Sequence, residues 1–208
     1  FVKHDPDKMG EGMMFGQQGD MIEALGNTSA QLAFLRHADR VKIGCMTGGI
    51  GALAAANCDH VWKTASHYPY AHLIRYGQGT SLQTVVDCDT FDIEGYYMDD
   101  GTQYQKREGI PYLDTAAALN EEKQELTLFV IQRKWDAQMG VDIDVSAFKG
   151  WTFVEHIQMY SEDRDAKNTF DNPNVIQPSV NKETKFEDGK IQATLQPLSW
   201  NVFRLERR

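Results

Sequence analysis

The first 80 residues show apolar positions at helical spacing, interrupted by one short run of strand character. Asp20 and Glu23 stand three positions apart in a capping-box pattern. Apolar residues then recur at helical spacing and predict a helix over Met21–His37. The apolar run Val41–Met46 predicts a strand buried on both faces, as in a parallel sheet covered by helices. Residues 1–19 have no period and are interpreted as a loop.

A glycine turn and further helical segments follow this predicted strand. Gly48 and Gly49 indicate a tight turn or a close approach of the backbone to another group. Residues 50–55 predict a short buried helix or turn, and Pro69 lies in the first turn of a second predicted helix that Gly77 ends. Helix, buried strand, glycine turn and helix is the order of an α/β layer. Such layers place their sites at the carboxyl ends of strands.

From Ser81 onward the pattern changes to short alternating segments separated by turns. Two of these segments predict a hairpin across residues 120–123. Residues 96–108 and 161–180 are polar and predict loops, and the domain boundary is placed at 77–80. The predicted strands favour an antiparallel two-sheet sandwich. They span Leu82–Val86, Phe91–Ile93, Tyr112–Leu119, Glu125–Arg133, Met139–Val145, Trp151–Tyr160, Ile191–Leu195 and Ser199–Leu205.

Composition narrows the partners that this chain can have. Hydrophobic residues make up 41% and charged residues 25% of the 208 residues, which is ordinary for a soluble globular protein. A net charge of −9 argues against nucleic acid and anionic membrane surfaces. No signal peptide or membrane-spanning run is visible, although the opening Phe1 need not be the natural start. Cys45, Cys58 and Cys88 form no CxxC pair, and we expect buried free thiols in a reducing compartment, the cytoplasm.

Candidate catalytic carboxylates do not emerge from the local sequence. A retaining glycosidase holds two carboxyl groups roughly 5 Å apart. Asp142 and Asp144 share one strand face, as solvated carboxylates opposite an apolar face do, and Asp99-Asp100 has the composition of a turn. Glu155 alternates with apolar neighbours and is expected at an exposed edge or in an ion pair. None of these residues is assigned a catalytic role.

Histidines and aromatic residues leave two interpretations open. The six histidines show no metal-ligand spacing, so no metal or cofactor is expected, and His67 and His72 do not share a helical face. Trp62, Tyr68 and Tyr70 fit either a platform on which a sugar stacks or, more commonly for aromatic residues on short helices, part of the core.

Several strings resemble one family of carbohydrate-active enzymes. Leu35–Lys42 reads LRHADRVK and resembles the RHADRVK segment of glycoside hydrolase family 51, the α-L-arabinofuranosidases. Other segments resemble later landmarks of that family, and they occur in family order over nearly the whole chain. These segments are Thr64–Gly79, Ile110–Asp114, Leu126–Phe129, Asn168–Pro173 and Pro197–Val202.

The resemblance implies a (β/α)₈ barrel followed by a jelly-roll β-sandwich. Residues 1–79 would then supply helix 7, strand 8 and helix 8 of the barrel, and residues 80–208 the sandwich. The implied reaction is hydrolysis of terminal α-L-arabinofuranosyl residues from arabinan or arabinoxylan with retention of configuration. The family's two catalytic glutamates would lie upstream of this chain, which alone would be inactive. Asn120-Glu121 matches the family's acid/base dipeptide but lies in a predicted hairpin turn, so it is rejected.

The resemblance also implies a sugar contact at the end of strand 8. Many family members carry there a glutamine that bonds arabinose, and this position falls on Gly48. Met46, Thr47 and Gly48 are therefore the candidate substrate-binding residues, and the Gly48 turn either serves only strand-to-helix geometry or lines a pocket. The expected partners are an arabinose-containing saccharide, the N-terminal barrel portion and further copies in an oligomer. The alternatives are a non-catalytic carbohydrate-binding or structural sandwich and a family member with endoglucanase specificity.

Overall fold

Two helices precede the strands of the sandwich. The computed structural model describes residues 19–46, 53–57, 59–97 and 103–207. The helices are α1 (Met21–Arg36) and α2 (His67–Tyr76). The N–H of Glu23 donates to Asp20 Oδ1 at 2.8 Å, and Glu23 Oε2 accepts from the N–H of Gly19 at 2.6 Å. The predicted capping of α1 is therefore confirmed, because these carboxylates satisfy N–H groups that the first turn leaves unpaired.

Fifteen strands lie in the part of the chain that the structure describes. They are β1 (Ala54–Ala56), β2 (Val61–Lys63), β3 (Thr80–Leu82), β4 (Thr90–Ile93), β5 (Tyr96–Tyr97), β6 (Gln103–Tyr104), β7 (Arg107–Pro111), β8 (Leu113–Asn120), β9 (Glu125–Gln132), β10 (Met139–Asp144), β11 (Trp151–Met159), β12 (Ser179–Val180), β13 (Lys185–Glu187), β14 (Lys190–Leu195) and β15 (Ser199–Arg207).

Two antiparallel sheets form the predicted sandwich. The larger has the order β12-β11-β15-β9-β8-β3, and the smaller has the order β10-β14-β13. Alternate side chains of the larger sheet point toward the smaller one, as a period of two requires. Phe203 and Leu205 on β15 meet Ile191 and Leu195 on β14 in a shared buried core. The predicted hairpin is confirmed as β8 and β9, which pair from Leu113–Gln132 to Asn120–Glu125.

The opposite face of the larger sheet is covered by the two helices. Trp200 stacks on Phe129 at a centroid distance of 5.6 Å, and both side chains pack with Leu25 and Leu32 of α1. The central strands are therefore buried on both faces, and the helices share a hydrophobic core with the sandwich. Neither helix in the described residues is long and apolar enough to cross a membrane.

Two predictions for the region between the helices are wrong for this structure. Val41–Met46 joins no sheet among the described residues, and Ile43 is 82% exposed where a strand buried on both faces was expected. A buried strand needs neighbours on both edges, and the described residues supply none here. For residues 50–55, 50–52 lie outside the described residues, and Ala54 and Ala55 are extended rather than helical because Ala54–Ala56 pairs with Val61–Lys63.

Smaller departures concern strand ends and the cysteines. The strand predicted over Leu82–Val86 ends at Leu82, and Val85 is 93% exposed. The segment 96–108, predicted as a loop, contains the short pair β5–β6 and the start of β7, while β13 was not predicted. Cys45 is exposed and Cys88 is half-buried, so the predicted burial of the thiols is wrong for Cys45. Cys58 lies outside the described residues.

Candidate functional site

The segment that follows α1 folds back along that helix. The backbone N–H groups of Arg40 and Val41 both donate to the carbonyl oxygen of His37, at 2.9 and 2.8 Å, and reverse the chain. Gly44 then lies against the ring of Phe34, since a Cβ added there would stand 2.9 Å from Phe34 Cδ2. The glycine therefore allows the segment to approach α1 more closely than another residue would.

Met46 is the one predicted substrate-binding residue within the described part of the chain. Its sulfur lies 3.4 Å from Gln31 Nε2, which donates to it, and the side chain is half-buried. Gln31 Oε1 is also buried and has no hydrogen-bond partner among the described residues. Thr47 and Gly48 lie outside the described residues. The structure thus places Met46 beside α1, next to a polar acceptor that a further group could satisfy.

Glu155 is paired, as one of its two expected environments required. Arg204 Nη1 lies 2.5 Å from Glu155 Oε1, and Arg204 Nη2 lies 3.2 Å from Glu125 Oε1. The same guanidinium stands 4.4 Å from the ring centroid of Tyr76 in α2. One arginine pairs with both carboxylates and ties the sheet to a helix. Such an arrangement differs from the two carboxyl groups of a glycosidase, which face the scissile bond.

A second ion cluster is centred on Asp114 and fastens α1 to the larger sheet. Asp114 is 6% exposed, and its two oxygens accept from Arg36 Nη1 at 2.6 Å and Arg133 Nη2 at 2.5 Å. Ser29 Oγ donates to the same carboxylate, and Arg36 Nη1 also donates to the carbonyl oxygen of Thr115 at 2.8 Å. Side chains from α1, β8 and the end of β9 therefore meet at one buried carboxylate, which positions the helix whose Gln31 contacts Met46.

The remaining carboxylate candidates are exposed or lie in a turn. Asp142 and Asp144 are exposed on β10, which confirms the interpretation of a solvated strand face. Hydrogen bonds from Ser146 lower the pKa of Asp144 from its ordinary value. Asn120 Oδ1 accepts from the N–H of Lys123 at 3.0 Å, so its side chain closes the turn between β8 and β9. Asp99 and Asp100 lie outside the described residues.

A buried polar network inside the sandwich was not identified from the sequence. His156 Nε2 donates to Asn201 Oδ1 at 3.0 Å, and Thr184 Oγ1 donates to His156 Nδ1 at 2.7 Å. Gln158 Nε2 donates to the same Asn201 oxygen at 2.8 Å, and the His156 ring stacks on Phe203. Burial lowers the pKa of His156 to about 4, although the hydrogen bond to Asn201 opposes this shift. The network holds a neutral imidazole and links β11 to β15.

His72 and His67 do not form a joint site. His72 Nδ1 accepts from Trp200 Nε1 at 3.1 Å, and burial lowers the pKa of His72 to about 4. Burial and the charge of Lys63 lower the pKa of His67. Within the described residues, no three His, Cys, Asp or Glu side chains are grouped closely enough to hold a metal ion.

The three aromatic residues suggested for sugar stacking are used for packing where their contacts are seen. Tyr68 packs against the core between the helices and the larger sheet, which confirms the core interpretation for this residue. Trp62 Nε1 donates to the carbonyl oxygen of Asn168 at 3.0 Å, and its ring meets Phe170 edge-on at 6.3 Å. Tyr70 is half-buried. No flat, open platform of these rings is formed in the described structure.

Asn168 attaches the long loop after β11 to the β1–β2 hairpin. Its Nδ2 donates to the carbonyl oxygens of Lys63, at 3.1 Å, and Ile176, at 2.9 Å. Its Oδ1 accepts from the N–H of Ile176 at 2.7 Å. Asn168 is 6% exposed, so these backbone groups have no ready access to water. Asn168, the first residue of the Asn168–Pro173 segment that resembles the family, therefore has a structural role: it holds the loop against the hairpin.

Replacing Asn168 with alanine is expected to lower the free energy of unfolding by about 2 kcal/mol, because buried backbone groups lose their partners. Urea denaturation measures this change. Asn172→Ala is the matched control, since Asn172 is exposed in the same loop, and we expect a change within about 0.5 kcal/mol. Equal losses in both variants would contradict the assigned role of Asn168.

The class of domain defined here is an antiparallel sandwich that carries two helices on one sheet and fastens one of them through the buried Asp114 and two arginines. Residues 4–199 match the family model described as the alpha-L-arabinofuranosidase C-terminal domain. This match covers most of the 208 residues, and the chain therefore belongs to that family.

Characterised relatives and solved structures agree with this assignment. The chain is 30% identical over 189 residues to the intracellular exo-alpha-(1->5)-L-arabinofuranosidase 1 of Bacillus subtilis and, over the same length, to an enzyme of that type from Halalkalibacterium halodurans. Each match covers 89% of this chain but 35% of the relative, so the chain spans about a third of their length.

Two solved structures share the fold. The Thermotoga maritima alpha-L-arabinofuranosidase in its arabinose complex has a TM-score of 0.77 at 22% identity, over 90% of this chain and 38% of that one. The family 51 AbfB of Bifidobacterium longum has a TM-score of 0.79 at 19% identity, over 90% of this chain and 35% of that one.

Proposed function

We propose that this chain is the C-terminal part of a retaining α-L-arabinofuranosidase that removes terminal α-L-arabinofuranosyl residues from arabinan or arabinoxylan oligosaccharides. The observation that carries the proposal is the family match over residues 4–199, together with relatives named arabinofuranosidases of which the chain spans 35%. The two catalytic carboxylates belong to polypeptide outside these 208 residues. In keeping with this, Glu125 and Glu155 are both held by Arg204.

Residues 1–79 are proposed to be the last elements of a (β/α)₈ barrel, and residues 80–208 a sandwich of jelly-roll type. Two observations support the barrel assignment. Ile43 is 82% exposed in an apolar segment that joins no sheet among the described residues. Gln31 Oε1 is buried without a partner in the same described part. Barrel strands beside residues 41–46 would cover the side chain of Ile43 and could donate a hydrogen bond to Gln31 Oε1.

Met46, Thr47 and Gly48 are proposed to line the subsite for the terminal arabinose. In a barrel the carboxyl end of a strand faces the active site, and these residues follow the segment 41–45. The sandwich has a positioning role, because the Asp114 cluster anchors α1 and α1 holds Met46.

Hydrolysis by two carboxylates needs no metal or cofactor. A cytoplasmic location and a homo-oligomeric assembly are part of the same proposal, the first in line with relatives named intracellular.

An assay on a chromogenic aryl α-L-arabinofuranoside tests the proposal. We expect no turnover above buffer from the 208-residue chain and clear turnover from a longer protein that contains the upstream barrel. In that longer protein, Met46→Ala should raise KM roughly threefold to tenfold through lost contacts in the subsite. Met139→Ala, on β10 of the sandwich, is the matched control and should leave KM unchanged.

Three outcomes would contradict the proposal. Turnover by the 208-residue chain alone would show that the catalytic groups lie within it. A longer protein that hydrolyses β-glucan but not arabinan would indicate endoglucanase specificity in the same family. The third outcome is a longer protein that binds polysaccharide without hydrolysing it, which would favour a non-catalytic module. The helices and the sandwich share one hydrophobic core, so such a module would include both.

A further inference from the structure

A cavity of about 970 Å³ lies between α1, β4 and the residues that follow β9. Its volume falls in the range of small-molecule sites, roughly 300–1,000 Å³. Its wall includes the arginines Arg36, Arg133 and Arg164 and the aromatic residues Tyr112 and Trp135. Met46, the described residue of the proposed arabinose subsite, is not part of this wall.

The charge of this wall is opposite to that of the whole protein. Three guanidinium groups line the cavity in a chain whose net charge is −9. Arg36 and Arg133 share the carboxylate of Asp114, and Asp92 is the one carboxylate in the wall among the described residues. Three positive charges therefore stand against two negative ones, and the remaining positive charge favours an anion. Guanidinium groups bind carboxylates with particular strength because two parallel hydrogen bonds can form.

Aromatic side chains provide the second half of the recognition surface. The indole of Trp135 is 56% exposed, and the guanidinium of Arg164 lies 4.3 Å from its ring centroid. Arg164 Nη2 also donates to the carbonyl oxygen of Trp135 at 3.3 Å, which keeps the pair together. Tyr112 stands beside Phe91 at a centroid distance of 4.9 Å. An exposed indole and a half-buried phenol ring with neighbouring polar groups suit ligands that have one apolar face and one polar edge.

We propose that this cavity binds an oligosaccharide that carries a uronic acid. The sugar ring packs on Trp135 and the carboxylate pairs with Arg164, because Arg133 already donates to Asp114, Ser29 and the carbonyl oxygen of Pro111. The choice of a saccharide among carboxylate-bearing ligands rests on the proposed function, because an enzyme that acts on arabinoxylan meets chains with acidic substituents. Met46 does not line the cavity, so the site would hold the polysaccharide by a branch that is not being cleaved.

Isothermal titration of the 208-residue chain tests the site. The probes are a xylo-oligosaccharide with one glucuronic acid branch and the neutral xylo-oligosaccharide of the same length. We expect the acidic probe to bind at least about tenfold more tightly, since only its carboxylate can form a charge-assisted pair with a guanidinium group. Raising the salt concentration from 50 to 500 mM should weaken the acidic probe severalfold and leave the neutral one nearly unchanged.

Substitutions of residues in the cavity wall test whether the acidic probe binds in the cavity. Arg164→Gln and Trp135→Ala should each weaken the acidic probe about tenfold, with an unchanged midpoint of thermal unfolding because both residues are exposed. Arg75→Gln is the matched control for the charge, since Arg75 is an exposed arginine that lies over Tyr76 outside the cavity. Tyr97→Ala is the control for the aromatic ring, because Tyr97 is exposed elsewhere.

The proposal is overturned by equal binding of both probes, by no binding of the acidic probe to the folded chain, or by equal effects of the site and control variants. Free glucuronate and inorganic phosphate are titrated in parallel, and phosphate binding as tight as that of the acidic oligosaccharide would reduce the cavity to a general anion site. These titrations need no catalysis. Their failure is therefore distinguishable from failure of the arabinofuranoside assay, which tests the proposed function.

Discussion

Asp114→Ala is expected to lower the free energy of unfolding by about 3 kcal/mol, the low end of the cost of breaking a buried ion pair. The carboxylate is 6% exposed, whereas the side chains of Arg36 and Arg133 are 35% and 22% exposed. Its removal leaves two guanidinium groups and the Ser29 hydroxyl without their common acceptor. Because both arginines can partly return to water, the loss stays below that of a fully buried pair.

Urea denaturation of the 208-residue chain measures this effect. Asp142→Ala serves as the control, because Asp142 is an exposed strand carboxylate that accepts one hydrogen bond from Gln192 at 2.9 Å. We expect a change within about 0.5 kcal/mol for the control. A loss for Asp114→Ala no larger than that of the control would contradict the view that this cluster fastens α1 to the sheet.

Stability is also expected to fall steeply between pH 6.5 and pH 4, because of the buried His156 and the half-buried His72. The pKa values of His72 and His156 are about 4 in the folded protein, below the ordinary value of 6.5. Within this window the unfolded chain binds two protons that the folded protein does not bind. Their contribution is fully present above pH 6.5 and lost progressively toward pH 4. Each histidine contributes a slope of about 1.4 kcal/mol per pH unit, and the two together contribute about 3 kcal/mol per pH unit.

Urea denaturation at intervals of one pH unit from 7.5 to 4.5 measures the slope. Removing one histidine in His156→Gln should lower the slope by about 1.4 kcal/mol per pH unit, whatever the variant's stability at neutral pH. His60→Gln is the control, because His60 is exposed, and its slope should equal that of the parent. Carboxylates add their own slope at the acid end, but they do so equally in all three proteins. An unchanged slope in His156→Gln would contradict a neutral, buried imidazole.

Local patterns predicted much of the sandwich correctly. The hairpin Leu113–Gln132 and the strand Met139–Asp144 follow from alternating apolar positions and a polar turn, which report burial directly in an antiparallel sheet. The capping of α1 by Asp20 and Glu23 depends on residues three apart and is equally local. The family resemblance also rests on strings of residues, and the match over residues 4–199 confirms it.

Other features depend on neighbours that no local pattern contains. The apolar segment Val41–Met46 has strand composition, but it pairs with no strand among the described residues and leaves Ile43 exposed. The β1–β2 hairpin forms where helix or turn was predicted, and Asn168 binds to its end from about a hundred residues further along the chain. The arrangement of Arg36 and Arg133 around Asp114 likewise joins three elements.

The sequence by itself determined which segments are amphipathic, where helices and turns begin, and to which family the chain belongs, because each of these depends on residues close together or on recurring strings. Only the tertiary structure decided which charges share a partner, which histidines are buried and which arginines line a common cavity. These properties depend on contacts between distant residues, and on how far those contacts exclude water from His72, Asp114 and His156.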